Sequence, residues 1–151
     1  MTRYFTRAWL VCGTLDIVYA ALLSVALGGT ARGMLLLVAS GPFGNGVADW
    51  GVAGAIAGLL VHYGIMAVMV LVFGLLVQRS PLGTMSPWLS GLLYGLALYL
   101  VMYWIVLPLR FPAIHPVTDP VKIFRALFPH IVLVGWPMAF IARRTLQGPT
   151  A

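Results

Sequence analysis

Acidic side chains are nearly missing from this sequence: three aspartates and no glutamate stand against nine lysines and arginines, and charged residues make up only 8% of 151. A soluble domain carries about 25% charged residues, so no water-facing surface can be assembled from this composition. Cysteine is as scarce. The single Cys12 excludes an intrachain disulfide and a thiolate metal cluster. Val11 stands before it where a lipoprotein signal needs a small residue, so a lipid-modified cysteine is excluded too. Catalytic motifs are also lacking. There is no G-x-S-x-G nucleophile turn and no phosphate-cradling glycine loop. Asp49, His115 and Asp119 fall in links without ligand spacing. With these absences no enzymatic role, metal site or cofactor is expected, and a membrane enzyme or cofactor carrier is only the third reading. The net charge of +6 is not gathered into a basic stripe with interleaved aromatics, so no nucleic-acid partner is expected.

What the sequence has is apolar length. Hydrophobic residues reach 62% and the mean hydropathy is +1.01. Four apolar runs cover roughly Ala8 to Leu27, Gly51 to Val77, Trp88 to Leu107 and Phe128 to Ala142. A helix needs about 20 mostly apolar residues to cross ~30 Å of hydrocarbon. The first three runs meet that length and the fourth falls short. The expected fold is all-α: a single membrane-embedded domain over residues 1–151, with four transmembrane helices in an antiparallel bundle. Arg3 and Arg7 before the first run resemble a signal peptide. Asp16 inside the run, and the lack of a small-x-small cleavage site, favour keeping it as the first span.

Four spans place both termini on one side of the bilayer, which is the main expected partner. Arg7, Arg79, Arg143 and Arg144 lie directly beside their spans on that side, and the positive-inside rule weights such flanks. Both termini are therefore expected in the cytoplasm, with Arg32, Arg110, Lys122 and Arg125 opposite. Trp9, Trp50, Trp88 and Trp104 sit near the expected span ends, as an interfacial aromatic belt predicts.

The links carry their own signals. Met34 to Ala39, followed by the glycine-rich Ser40 to Gly46, is apolar but too short to span, and reads as an interfacial or re-entrant segment between helices one and two. Helices two and three are joined tightly through Gln78 to Pro87 as an antiparallel hairpin. Ser86-Pro87 there reads as an N-cap followed by proline at the first helical position. Prolines at 108, 112, 116 and 120 predict an extended or turn-rich third link. Pro137 is expected to kink the fourth span.

The polar residues inside the spans are few enough to name. Asp16 in mid-helix one costs roughly 2.5–3.5 kcal/mol to insert and must face the bundle interior. It is either a proton or cation site, or polar glue between helices. His62 shares a helix face with Gly51, Gly54 and Gly58, and Gly54 with Gly58 forms a small-xxx-small surface for close packing. Centred on their spans, Asp16 and His62 differ in depth by only ~5 Å, so they can pair. Alternatively, His62 bonds a tyrosine or a backbone carbonyl. Gly91 and Gly95 form a second close-packing pair on helix three. Tyr99 and Tyr103 share a face there and could donate to Asp16 or line a polar cavity. His130 reads as the opening of helix four. A bis-histidine haem with His62 is therefore rejected, because one residue lies near the midplane and the other at a boundary.

Several stretches together resemble a group of short bacterial inner-membrane proteins that includes the YagU-like family. They are Gly13-Thr14-Leu15-Asp16, Ala39 to Gly44, Gly58-Leu59-Leu60-Val61-His62, Gly91 through Leu107-Pro108-Leu109, and Pro129-His130-Ile131. The resemblance implies a four-helix inner-membrane fold and carries no activity with it. The leading expectation is a non-enzymatic accessory or envelope component, self-associating through its glycine faces or docking another membrane protein. The alternative is a proton- or cation-coupled small-molecule transporter using Asp16 and His62.

Overall fold

The computed structural model describes residues 1–113 and 117–146, and every described element is helical. Four helices are long and apolar enough to cross a membrane: α1 (Thr2–Ala26), α3 (Val52–Arg79), α4 (Pro87–Arg110) and α5 (Pro120–Leu146). The shorter α2 (Ala31–Phe43) lies between the first two. The outward faces carry large apolar side chains such as Leu22, Leu60, Val68 and Leu100. Water would penalise such a surface and lipid does not. The chain is a multi-pass membrane protein built as an all-α antiparallel bundle.

Two helix boundaries differ from the sequence expectation, and proline is the reason in both. The fourth span is not short. It begins at Pro120, where the Asp119 side chain accepts a hydrogen bond from the Lys122 N–H (2.9 Å) and proline takes the first helical turn, as it commonly does. It then runs 27 residues. Pro108 likewise belongs to a helix instead of a turn. A π-helical turn over Met102–Val106 precedes it, and this wider turn takes up the lost hydrogen bond and the ring clash. A second π-helical turn, Pro129–Gly135, precedes Pro137. Pro112 stays in a turn, and Pro116 and His115 lie outside the described residues. Ser86 caps α4 as its sequence indicates, accepting from the Leu89 N–H.

α1 continues outward past Trp9 to Thr2, and the Trp9 indole N–H donates to the Tyr63 carbonyl of α3 at 2.7 Å. One further placement changes. Gly51 does not share the face of Gly54 and Gly58. It stands before α3 with φ +62°, a left-handed conformation that glycine tolerates.

Packing divides the bundle into halves. The end holding Thr2, Arg79, Pro87 and Leu146, here the terminal face, is tightly filled. Tyr4, Ala8, Cys12, Val70, Phe73 and Met138 form its buried centre. The Tyr4 hydroxyl donates to the Val70 carbonyl (3.0 Å) and that of Tyr94 to the Met69 carbonyl (2.6 Å). The other half, toward the loop face, is held apart by α2. A Cβ on Gly54 would lie 2.6 Å from the Val47 carbonyl oxygen, and one on Gly58 would strike the Leu35 backbone. The glycines of α3 thus seat the short helix and its following turn. Arg110 pins the far end of α2, donating to the Ser40 carbonyl (2.7 Å), the Gly41 carbonyl (3.0 Å) and the Asn45 side chain (3.1 Å).

Candidate functional site

Asp16 lies mid-way along α1, and α3 brings His62 to it. Gly13, one turn earlier, is what allows the approach: a Cβ there would lie 2.7 Å from the Tyr63 ring. The missing side chain exposes the Gly13 carbonyl, which His62 Nε2 contacts at 2.9 Å. A carbonyl can only accept, so Nε2 carries the proton. The other ring nitrogen, Nδ1, then faces Asp16 Oδ2 at 3.9 Å. Of the two arrangements open to His62, the structure contains elements of both: a carbonyl bond on one nitrogen and the aspartate on the other. The 3.9 Å gap exceeds a hydrogen bond by about 1 Å, a distance that one water or a small side-chain shift closes.

His130 belongs to the same site. Its expected position at a span end is overturned by the earlier start of α5, which sets it ten residues inside from Pro120. Its Nδ1 contacts the Ala126 carbonyl at 2.8 Å. A Cβ on Gly95 would lie 2.5 Å from the His130 carbonyl oxygen, and one on Gly91 2.7 Å from that of Gly135. The two α4 glycines therefore draw α5 close at the level of His130. Tyr103 packs edge-on to the His130 ring at 5.8 Å and stacks on Tyr99 at 5.1 Å. Tyr99 itself is buried, while Tyr103 faces the cavities described next. Both Tyr103 and His130 ride on the π-helical turns, distortions that often mark functional positions.

Two cavities meet at this cluster. One of about 460 Å³ runs from Asp16 past Tyr19 and Arg125 toward Thr30 at the loop face. A smaller one of about 210 Å³ reaches inward to His62, Met66 and Val134. Asp16, Ala20, Met34, Tyr103 and His130 line both. The larger volume falls within the ~300–1,000 Å³ range of small-molecule sites. Depth no longer separates His62 from His130, and both line the smaller cavity. Among the described residues, however, no three His, Cys, Asp or Glu side chains group to hold a metal ion.

The signal for His130 was present in the sequence. Asp119-Pro120 is the same cap-plus-proline pattern as Ser86-Pro87, and reading it so moves the helix start outward by two turns. The role of Gly13 had no comparable signal, since one glycine in an apolar run does not tell which helix it meets. No family model, no curated protein and no solved structure matches the chain.

Proposed function

We propose that this is an inner-membrane transporter that couples proton movement to that of a small solute, with Asp16 and His62 as the proton site. One observation carries the reading: Asp16 lines both a cavity that opens toward the loop face and a smaller inner one that reaches its partner His62, and packed side chains plug the bundle toward the terminal face. Ionisable residues within spans are rare, and they commonly mark ion and proton paths. The hydrogen bond to Gly13 fixes the His62 tautomer and leaves Nδ1 as the proton-accepting position. A proton on Asp16 can pass to Nδ1 and give an ion pair, and both states keep the Nε2–H bond. Tyr103 and His130 border the same space and can relay or solvate that charge.

The rival reading is a non-enzymatic accessory protein that docks through glycine faces. It lacks a free surface of that kind, because Gly54, Gly58, Gly91 and Gly95 are all met from within the chain. Membership of the YagU-like group and a cytoplasmic position for both termini belong to this proposal. The orientation is supported by Arg7, Arg79, Arg143 and Arg144 beside the terminal face, and it points the cavity away from the cytoplasm.

The test is proton flux in liposomes containing the purified protein, read by an internal pH dye under an imposed gradient with a panel of cations and small acids. Solute-dependent flux is expected from the wild type and should be lost in Asp16→Asn. Equal flux from folded Asp16→Asn protein would overturn the proton role.

A further inference from the structure

The proton site makes no use of Arg125, yet this residue lines the larger cavity. It sits one turn and a half closer to the loop face than His130. There the Tyr19 hydroxyl donates to its backbone carbonyl at 3.0 Å. The one ion-pair contact among the described residues is that of His62 with Asp16, so no carboxylate neutralises the guanidinium. Lys122, one turn further out, lines an adjoining recess of about 270 Å³ together with Arg125, Leu23 and Leu27. Toward the loop face the main cavity is walled by Leu23, Leu27 and Leu37, with Ser24 and Thr30 beside them. A half-buried cation therefore stands part-way along a largely alkyl wall.

From this arrangement we infer that the cavity binds a single-chain amphiphile with an anionic head, a carboxylate or a phosphate. The head pairs with Arg125, whose planar fork suits two-point contact with either group. The chain lies along Leu23, Leu27 and Leu37 toward the loop face. Asp16 lines the same cavity about 4.5 Å deeper along α1 than Tyr19, with its Oδ2 3.9 Å from His62 Nδ1. At about 460 Å³ the cavity is in the lower part of the small-molecule range, which suits one alkyl chain and not two. The inference names the solute class of the transporter proposed above and rests on that reading for its purpose. Binding is measurable without transport, so either can fail alone.

The experiment uses the full chain in phosphatidylcholine nanodiscs, titrated with decanoate, decyl phosphate, decyltrimethylammonium and acetate against empty discs. Saturable binding is expected for the two anionic amphiphiles and not for the cation or for acetate. Arg125→Gln should weaken decanoate binding about tenfold, the usual scale of a lost charged hydrogen bond, and Arg125→Lys by less. Should Arg125→Gln fail to fold, Leu23→Trp carries the test: it fills the cavity and should abolish binding, whereas an arginine that merely reached lipid head groups would be indifferent to it. A second arm adds lysophosphatidylglycerol, a bilayer lipid with a single chain, to the discs. Displacement of decanoate identifies a bilayer lipid as the source of the ligand, and lack of displacement identifies a free amphiphile, and both support the site. Equal binding of decyltrimethylammonium, or undiminished binding in both the Arg125→Gln and Leu23→Trp proteins, would overturn it.

Discussion

Replacing Gly95 with alanine tests whether the α4–α5 contact sets the position of His130. The added Cβ would lie 2.5 Å from the His130 carbonyl oxygen and 2.8 Å from Ile131 Cα. Both are backbone atoms, so no side chain can swing aside to make room. Ordinary contact begins at 3.4 Å, and α5 must therefore withdraw by about 0.9 Å at His130, the difference of the two distances. Overpacking of this kind costs about 1–3 kcal/mol, offset in part by the ~1 kcal/mol that alanine gains over glycine in a helix. A net loss of about 0–2 kcal/mol is expected, read from the unfolding midpoint in mixed micelles titrated with SDS and followed by circular dichroism. Gly64→Ala is the matched control. Gly64 lies in α3 with nothing within 4 Å of its added Cβ, so only the helix preference remains and stability should hold or rise. If Gly95→Ala proves as stable as Gly64→Ala, the close contact does not hold α5 in place, and the location of His130 in the cavity loses its structural basis.

Three other outcomes follow from the same geometry. Asp16→Asn combined with His62→Gln should be less destabilised than the sum of the single substitutions by at least ~0.5 kcal/mol, as residues in contact generally are; strict additivity in the same SDS titration would separate the pair. Arg110→Gln removes a charged donor from the Ser40 and Gly41 carbonyls, at an expected cost of about 1.5–3 kcal/mol. Limited proteolysis should then cut within residues 41–50 sooner than in the wild type, and an unchanged rate would show that α2 is held by its seat on α3 alone. Alkaline phosphatase fused at Ala151 should be inactive, and within the link between α4 and α5 active, with the reverse pattern inverting the orientation.

Hydropathy makes the spans legible because nothing except a helix satisfies its backbone within an apolar run of that length. Where the sequence reading went astray, proline was taken as a stop. Pro108 sits inside α4 because the π-helical turn over Met102–Val106 absorbs it. Pro120 begins α5 because the first helical turn has no use for its N–H. The two misreadings share a consequence. They shortened the loop-facing ends of the third and fourth spans, and in the fourth the missed part carries Arg125 of the cavity wall. With α5 started at Phe128, His130 falls at a surface; started at Pro120, it falls opposite Asp16. The pairing of Asp16 with His62 was accessible from depth alone, since both lie near the centres of their spans.

The cavity itself was not accessible, and the reason lies in α2. An apolar segment too short to span reads as interfacial or re-entrant, which does not say what it packs against. Gly54 and Gly58 admit this helix to direct contact with the α3 backbone. That places Met34 against Asp16, His130 and Tyr103 in both cavities. The small-xxx-small pair on α3 was visible as a close-packing surface, but its periodicity does not name the partner. A transmembrane helix in that seat would have closed the bundle along its whole length. A thirteen-residue helix fills only the loop half, and fills it incompletely. The polar floor at Asp16 thus stays open toward one face of the membrane because the element packed beside it is too short to seal it.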